Sequence, residues 1–166
     1  FVGLTIGIKA LGIKCEIVPV RVVDHDFLDK KMILKLFSRT IEFLRERDKK
    51  FPDVTLRPEE INIRDQYLGD GYARFTEKGM AAVGLMDEIE GIRLDGTYTG
   101  KAFAALVDDA RNGDLKGKNV MFWNTLNAYD LKSSISEVDY RRLPRVLYSY
   151  FEEDVQPLDK NLPKPA

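Results

Sequence analysis

The sequence predicts an α/β fold, a mostly parallel sheet with helices on both of its faces. Two observations lead to this prediction. Helix-like and strand-like patterns alternate along the 166 residues, beginning and ending with a helix, and such alternation is typical of parallel sheets whose strands are joined by helices. The strand-like stretches are also short, nearly unbroken apolar runs, as in strands that are covered on both faces.

The first half of the chain contains two predicted strands. Residues 14–23 are rich in β-branched side chains and predict a strand, in which Pro19 favours an edge or a bulge. A second, short strand is expected at residues 61–63. Residues 1–12, ahead of both, are apolar and lack an N-cap residue, so they are interpreted as the remainder of a buried helix whose start lies upstream.

Between these two strands, residues 27–49 predict a long amphipathic helix. Ile33, Phe37 and Ile41 form one apolar stripe at helical spacing. Asp26 is the expected N-cap, because a short carboxylate can accept a hydrogen bond from a free backbone N–H of the first turn.

The second half continues the alternation of helices and strands. Thr76 is the expected N-cap of a helix that runs to about residue 90, and Gly91 fits the position just past its end. The following helix opens at Thr99 or Gly100 and ends at Gly113. The remaining predictions are strands at residues 92–95 and 119–123, a helix over residues 143–153 and an irregular tail over residues 156–166.

Charge and residue usage argue against several classes of function. Lys and Arg number 26 against 27 Asp and Glu, a net charge of −1, so nothing indicates a nucleic-acid partner. Cys15 is the one cysteine, which excludes an internal disulfide and predicts a cytoplasmic protein. His25 is the one histidine, so no metal site is predicted. No apolar run is long enough to predict a membrane partner.

Two polar turns at the ends of predicted strands form the candidate site. Ligands of open α/β sheets bind beyond the carboxyl ends of the strands. The first turn carries Tyr98 and Thr99, and the second carries Asn124 and Thr125. On pattern alone, a helix cap is the better explanation of the hydroxyls of the first turn.

Motifs spread along the chain carry a more specific signal. The longest is Leu-Asp-Gly-Thr-Tyr-Thr-Gly-Lys-Ala at residues 94–102, which continues as Phe-Ala-Ala-Leu-Val and is followed by Asn-Val-Met-Phe-Trp at residues 119–123. Three shorter motifs lie upstream, with Gly-Ile-Lys-Ala-Leu-Gly at residues 7–12, Gly-Asp-Gly-Tyr at 69–72 and Thr-Glu-Lys-Gly at 76–79. In order and spacing they resemble the pyridoxal-phosphate enzyme family that contains D-cysteine desulfhydrase and 1-aminocyclopropane-1-carboxylate deaminase.

The resemblance implies that the chain is the C-terminal part of a fold-type-II enzyme, similar to the β subunit of tryptophan synthase. Residues 1–127 would be a partial large cofactor-binding domain, and residues 128–166 a C-terminal extension with one helix and the irregular tail. The cofactor would be pyridoxal 5'-phosphate, and its Schiff-base lysine would lie upstream of Phe1. The implied partners are a small amino-acid substrate, the missing N-terminal part and a second copy in a homodimer, and the fragment alone would be inactive.

The resemblance also assigns residues to roles. Tyr98 and Tyr72 match tyrosines beside the substrate, where a phenol can orient or protonate a reacting group. Thr125 matches a threonine near the pyridine nitrogen, and Asn124 is assigned to the cofactor with it. Thr99 matches a position that is threonine in the desulfhydrase and glutamate in the deaminase, so it favours the desulfhydrase.

The implied reaction is deamination or β-elimination of a small amino acid, releasing ammonia and a keto acid, with D-cysteine or a similar amino acid favoured as substrate. Leu126 and Asn127 depart from the family, which has two glycines at these positions. Their side chains would crowd the cofactor ring, and this favours the alternative, a non-catalytic binding or regulatory relative of the same fold.

Overall fold

The computed structural model describes residues 1–127, 129, 131–154 and 156–158. Two compact units divide the chain, Phe1–Tyr72 and Ala73–Ala166. The α-helices described are α1 (Val2–Ala10), α2 (Lys30–Arg47), α3 (Glu77–Glu90), α4 (Thr99–Asn112), α5 (Lys132–Ile135) and α6 (Ser149–Glu152). Short 3₁₀ helices lie at His25–Phe27, Pro58–Glu60, Tyr140–Arg142 and Arg145–Leu147.

The core of the first unit forms where α1 packs on α2. Phe37 and Ile41 of α2 join Ile6 of α1 in one buried cluster, which the apolar stripe of α2 predicts. Burying each of these side chains stabilises the unit by about 1.5–3 kcal/mol. Partly buried apolar residues from both helices and the connector after α2 surround the cluster: Val2, Leu44, Phe51, Val54 and Leu56.

The start of α2 differs from the prediction by one turn. Asp29, and not Asp26, is the capping residue, because its carboxylate accepts a hydrogen bond of 2.6 Å from the Met32 N–H. Asp26 lies within the 3₁₀ helix His25–Phe27, which ends ahead of the cap. The helix predicted over residues 27–49 is therefore confirmed over Lys30–Arg47, three residues shorter at its start and two shorter at its end.

The second unit contains α3 packed against α4. Thr76 caps α3 as predicted, its hydroxyl accepting a hydrogen bond of 3.0 Å from the Gly79 N–H. Gly91 ends α3 with φ 64° and Gly113 ends α4 with φ 83°, and this left-handed conformation favours glycine at both positions. The capping residues predicted from the sequence therefore match the observed ends of both helices.

The prediction of a mostly parallel sheet is wrong. Across the described residues the structure has a single parallel bridge, between Val20 and Arg64, and no strand. The other predicted strands, residues 92–95 and 119–123, are not paired with each other. A strand is stable only beside a neighbour, and the apolar runs that predict strands carry no information on whether a neighbour exists.

The C-terminal part is more broken than predicted. The sequence predicts a single helix over residues 143–153, but the structure has the 3₁₀ helix Arg145–Leu147 followed by the one-turn α6. The Tyr140 ring stacks on Phe151 at 4.7 Å between ring centroids and meets Tyr148 edge-on. Of the predicted tail over residues 156–166, residues 159–166 lie outside the described residues. The predicted domain boundary after residue 127 stays a prediction.

Candidate functional site

Asp95 organises the first candidate turn. Its carboxylate accepts hydrogen bonds from the backbone N–H groups of Thr97 at 2.9 Å, Tyr98 at 2.6 Å and Thr99 at 3.1 Å. The Thr99 hydroxyl donates to the same carboxylate at 2.6 Å and accepts from the Asp95 N–H at 2.8 Å. The Asp95 carboxylate therefore satisfies the N–H groups of the turn and of Thr99, the first residue of α4, while the Asp95 carbonyl oxygen accepts from the Gly100 N–H at 2.7 Å.

The carboxylate of Asp95 is held in its charged form. Partial burial raises the pKa of Asp95, but the hydrogen bonds from the Thr99 hydroxyl and from the three backbone N–H groups together outweigh it and lower the pKa below its usual value. A negative charge at the N-terminus of a helix is also favoured by the helix dipole. The turn is thus fixed before any ligand binds.

Glycines allow this turn to lie close to α3. A Cβ atom on Gly100 would lie 2.6 Å from a methyl group of Val83 and 2.7 Å from the Asp95 carbonyl oxygen. On Gly96 it would lie 2.8 Å from both the Met80 sulfur and the Phe75 ring. All four contacts would be shorter than real Cβ contacts, so packing requires both glycines of the 94–102 motif.

Tyr98 is the side chain that this turn presents to solvent. It is 42% exposed, whereas Thr99 is 3% exposed and Lys101 is fully buried. Thr99 contacts Asp95 through its hydroxyl, so its observed role is to hold the turn. Lys101 is too deeply buried to react with a carbonyl compound from solution.

The second candidate turn follows the segment at residues 119–123. Asn124 accepts a hydrogen bond of 3.0 Å from the Leu126 N–H, and Asn127 accepts one of 3.0 Å from the Tyr129 N–H. These contacts are two successive Asx turns. Thr125, between them, is exposed, and the Leu126 side chain is half-buried.

One aromatic contact attaches the second turn to α4. The Phe122 ring packs on Phe103 with 5.0 Å between centroids and an interplanar angle of 58°. Phe122 lies three residues ahead of Thr125, and Phe103 lies about one turn of helix after Tyr98. Both candidate turns are therefore connected to the same helix within the second unit.

Tyr72 lies in the other unit, at the end of a glycine-rich loop. Its backbone N–H donates to the Asp24 carboxylate at 3.1 Å, and its side chain is 45% exposed. Gly71, just before it, has φ 135°, which favours glycine, and a Cβ atom there would lie 3.1 Å from the same carboxylate. Asp24 therefore fixes the loop that presents Tyr72.

Sequence reasoning missed Asp95 and Asp24, the two carboxylates that hold the tyrosine-bearing turns. A signal for Asp95 was present, because an Asp followed by hydroxyl residues two and four positions later, just before a predicted helix, is typical of a capping turn. No comparable local signal exists for Asp24, which lies 48 residues ahead of Tyr72 in the chain.

The polar groups at the start of α4 and at the second turn suit a neutral ring of a cofactor but not its phosphate group. Since the carboxylate and the carbonyl of Asp95 already accept from the N–H groups of Thr99 and Gly100, the first two residues of α4, these two amides are not available to a phosphate group. Exposed hydroxyl and amide groups at Thr125 and Asn124 can contact a neutral ring. Among the described residues, no three His, Cys, Asp or Glu side chains come together as metal ligands would.

Comparisons with known proteins identify relatives over much of the chain. It is 35% identical over 109 residues to the D-cysteine desulfhydrase of Klebsiella pneumoniae (strain 342), which is 64% of this chain and 30% of that protein. It is 32% identical over 106 residues to the D-cysteine desulfhydrase of Yersinia enterocolitica, again 64% of this chain and 30% of that protein. No protein-family model matches the chain.

A solved structure shares the fold. The crystal structure of an ACC deaminase homologue superposes with a TM-score of 0.54 and 30% sequence identity, covering 70% of this chain and 33% of that one. These findings confirm the resemblance to the D-cysteine desulfhydrase and ACC deaminase family. The chain matches about 30% of the length of the curated relatives.

Proposed function

Because the chain resembles part of the D-cysteine desulfhydrases, we propose that it belongs to a pyridoxal-phosphate enzyme that deaminates a small amino acid by β-elimination, releasing the β substituent, ammonia and a keto acid. The observation that supports this most strongly is the 94–102 motif, folded as a prearranged turn that presents Tyr98. D-Cysteine or a similar amino acid is the proposed substrate. The complete enzyme acts in the cytoplasm as a homodimer.

In this proposal each candidate residue has its own role in binding or in proton transfer. Pyridoxal phosphate, when bound, supplies an electron sink for negative charge at the substrate α carbon. Tyr98, half-exposed on a fixed turn, orients the substrate and exchanges a proton with it through its phenol oxygen. Tyr72, in the first unit, is assigned to the substrate by the family resemblance alone.

The second turn faces the cofactor ring. Thr125, with Asn124 beside it, would hold the pyridine nitrogen through its hydroxyl, and because a hydroxyl brings no charge it would leave that nitrogen unprotonated. Thr99 supports the same pocket through the Asp95 turn. The groups that hold the cofactor phosphate, and the lysine that attaches the cofactor, would come from polypeptide outside the matched stretch, since the first two N–H groups of α4 are bonded to Asp95 and Lys101 is buried.

A chimera tests the proposal. The chain replaces the matching stretch of the Klebsiella pneumoniae D-cysteine desulfhydrase, and cofactor binding is followed by visible absorbance and circular dichroism. We expect bound cofactor and release of hydrogen sulfide, pyruvate and ammonia from D-cysteine. Tyr98→Phe retains the cofactor but lowers kcat by roughly 10²–10⁴, whereas the control Tyr140→Phe, outside the motif, leaves kcat unchanged.

The second candidate function is a non-catalytic relative that binds a ligand or regulates a partner. Leu126 and Asn127, at the positions of the two family glycines, favour it, and the Leu126 side chain is half-buried beside the turn. A folded chimera that binds no pyridoxal phosphate would contradict the enzymatic proposal and support this alternative.

A further inference from the structure

We propose that Gln156 is a positioning residue for Tyr98, and that it acts through residues 73–75, the short segment that leads into α3. The contact of the Gln156 side chain with this segment is named the amide clamp. The inference rests on the role proposed above for Tyr98, and all of these residues belong to the second unit. Gln156 lies outside the motifs that resemble the family, which all fall within residues 7–123.

The amide clamp consists of two hydrogen bonds made by one side-chain amide. The Phe75 N–H donates to Gln156 Oε1 at 2.6 Å, and Gln156 Nε2 donates to the Ala73 carbonyl at 2.9 Å. A carboxamide carries both a donor and an acceptor, so it binds these two backbone groups much as the peptide group of a neighbouring strand would. A side chain without both groups cannot replace it.

The clamped segment contains a backbone conformation that needs support. Ala73 has φ 58°, and among the described residues other than glycine it alone has a positive φ. A Cβ atom makes this left-handed conformation unfavourable, so it persists only where surrounding contacts hold it. The hydrogen bond from Gln156 to the Ala73 carbonyl is such a contact, and it joins residues that are 83 positions apart in the chain. Without this bond we expect Ala73 to adopt a more common conformation and Phe75 to move with it.

Phe75 connects the amide clamp to the Tyr98 turn. Its ring lies against Gly96, where an added Cβ atom would lie 2.8 Å from two ring carbons. Gly96 directly follows Asp95 and lies two residues ahead of Tyr98, within the turn that the Asp95 carboxylate holds. Because the ring and the turn are in such close contact, a shift of the Phe75 backbone displaces the turn and with it the phenol of Tyr98.

Amide hydrogen exchange in the whole chain, without cofactor, tests this connection. Gln156→Met keeps the length of the side chain but removes both hydrogen bonds. We expect exchange to become roughly tenfold faster at Phe75 and roughly threefold faster at Tyr98, whose N–H donates to Asp95. The control Asn112→Leu makes the same kind of change at an exposed amide of α4 and should leave both rates within about twofold.

A milder variant guards against loss of the fold, which circular dichroism of the helices monitors. The carboxylate of Gln156→Glu still accepts from the Phe75 N–H but has no donor for the Ala73 carbonyl. It should speed exchange at Phe75 and Tyr98 by smaller factors than Gln156→Met does. This order of effects is expected only if both hydrogen bonds of the amide clamp contribute.

The chimera described above tests whether the amide clamp acts through Tyr98. Gln156→Met should retain the cofactor and the KM for D-cysteine but lower kcat roughly tenfold. In a Tyr98→Phe background the same change should lower kcat no further, because the phenol that it positions is already absent. A merely structural role of Gln156 would instead reduce cofactor binding, or add its own loss to that of Tyr98→Phe.

Several outcomes would overturn the proposal: exchange at Phe75 or Tyr98 that Gln156→Met leaves unchanged, equal effects of Gln156→Met and Asn112→Leu, or additive losses of kcat. A chimera that binds no pyridoxal phosphate would contradict the proposed enzyme. The exchange rates of the chain alone, measured without cofactor, would still decide whether Gln156 positions Tyr98, so the two failures are distinguishable.

Discussion

Among single residues, Asp95 has the clearest structural role, because four hydrogen bonds from the turn reach its carboxylate. Asp95→Asn keeps the size of the side chain but replaces one acceptor oxygen by a donor facing N–H groups. We expect the free energy of unfolding to fall by about 1–3 kcal/mol, as measured by urea denaturation. Asp114→Asn, an exposed control on the same unit, should change it by less than about 0.5 kcal/mol.

The pKa of Asp95 gives this prediction a pH dependence. Since folding lowers the pKa, the carboxylate stabilises the fold above the ordinary aspartate pKa and loses this contribution as the pH falls through the lowered value. The difference in stability between the parent chain and Asp95→Asn should therefore shrink in acid. A difference that grows as the pH falls would contradict the assigned role.

At the scale of elements, the close approach of α3 and α4 depends on Gly100. Gly100→Ala places a methyl group 2.6 Å from Val83 and should lower the free energy of unfolding by about 1–3 kcal/mol. Gly84→Ala is the matched control, because it lies in α3 with open space around the added methyl. Helix propensity predicts that this control raises stability by about 0.5–1 kcal/mol. Equal effects of the two changes would show that packing at Gly100 is looser than described.

A second element-scale contact joins α1 to the 3₁₀ helix Pro58–Glu60. Lys9 Nζ lies 2.6 Å from a Glu60 carboxylate oxygen. The hydrogen bond from Lys9, followed by that from the Arg57 N–H, lowers the pKa of Glu60 from 4.5 to about 2. The pair stabilises the unit above pH 4.5, and this stabilisation is lost as the pH falls toward 2.

Glu60→Gln tests this ion pair. Because both side chains are nearly one-third exposed, the contribution at neutral pH is only about 0.2–1 kcal/mol. Denaturation midpoints measured from neutral to acidic pH should depend less on pH in Glu60→Gln than in the parent chain. Glu46→Gln, an exposed change on α2, should keep the parent's pH dependence. An unchanged slope in Glu60→Gln would exclude the pair as a source of acid lability.

The elements also show what the sequence could and could not predict. Helices could be predicted because they form from contacts between residues that are near in sequence. The apolar stripe of Ile33, Phe37 and Ile41 predicts α2, and the caps at Thr76 and Gly91 predict the two ends of α3. A strand forms only beside a second strand, which can be distant in sequence, so a local pattern cannot show whether it is present. Residues 119–123 have the pattern of a strand but are not paired within the described part of the chain. The Tyr98 turn was located, but Asp95, its organising residue, was not.

At the scale of the whole molecule, the chain consists of two compact units and matches about 30% of the length of its curated relatives. Among the described helices, none has the length and apolar character needed to cross a bilayer. The motifs that resemble the family occur in both units, with Tyr72 in one and Tyr98 and Thr125 in the other. The proposed activity therefore belongs to the complete enzyme and requires that the Tyr98 and Thr125 turns border one cofactor.

The most direct test of this requirement uses nuclear magnetic resonance of threonine methyl groups in the chimera, recorded with and without pyridoxal phosphate. An aromatic ring shifts the resonances of methyl groups beside it. We predict that the methyl signals of Thr99 and Thr125 move when the cofactor binds, while that of Thr55, exposed in the first unit, does not. Bound cofactor with an unshifted Thr125 signal would contradict the account.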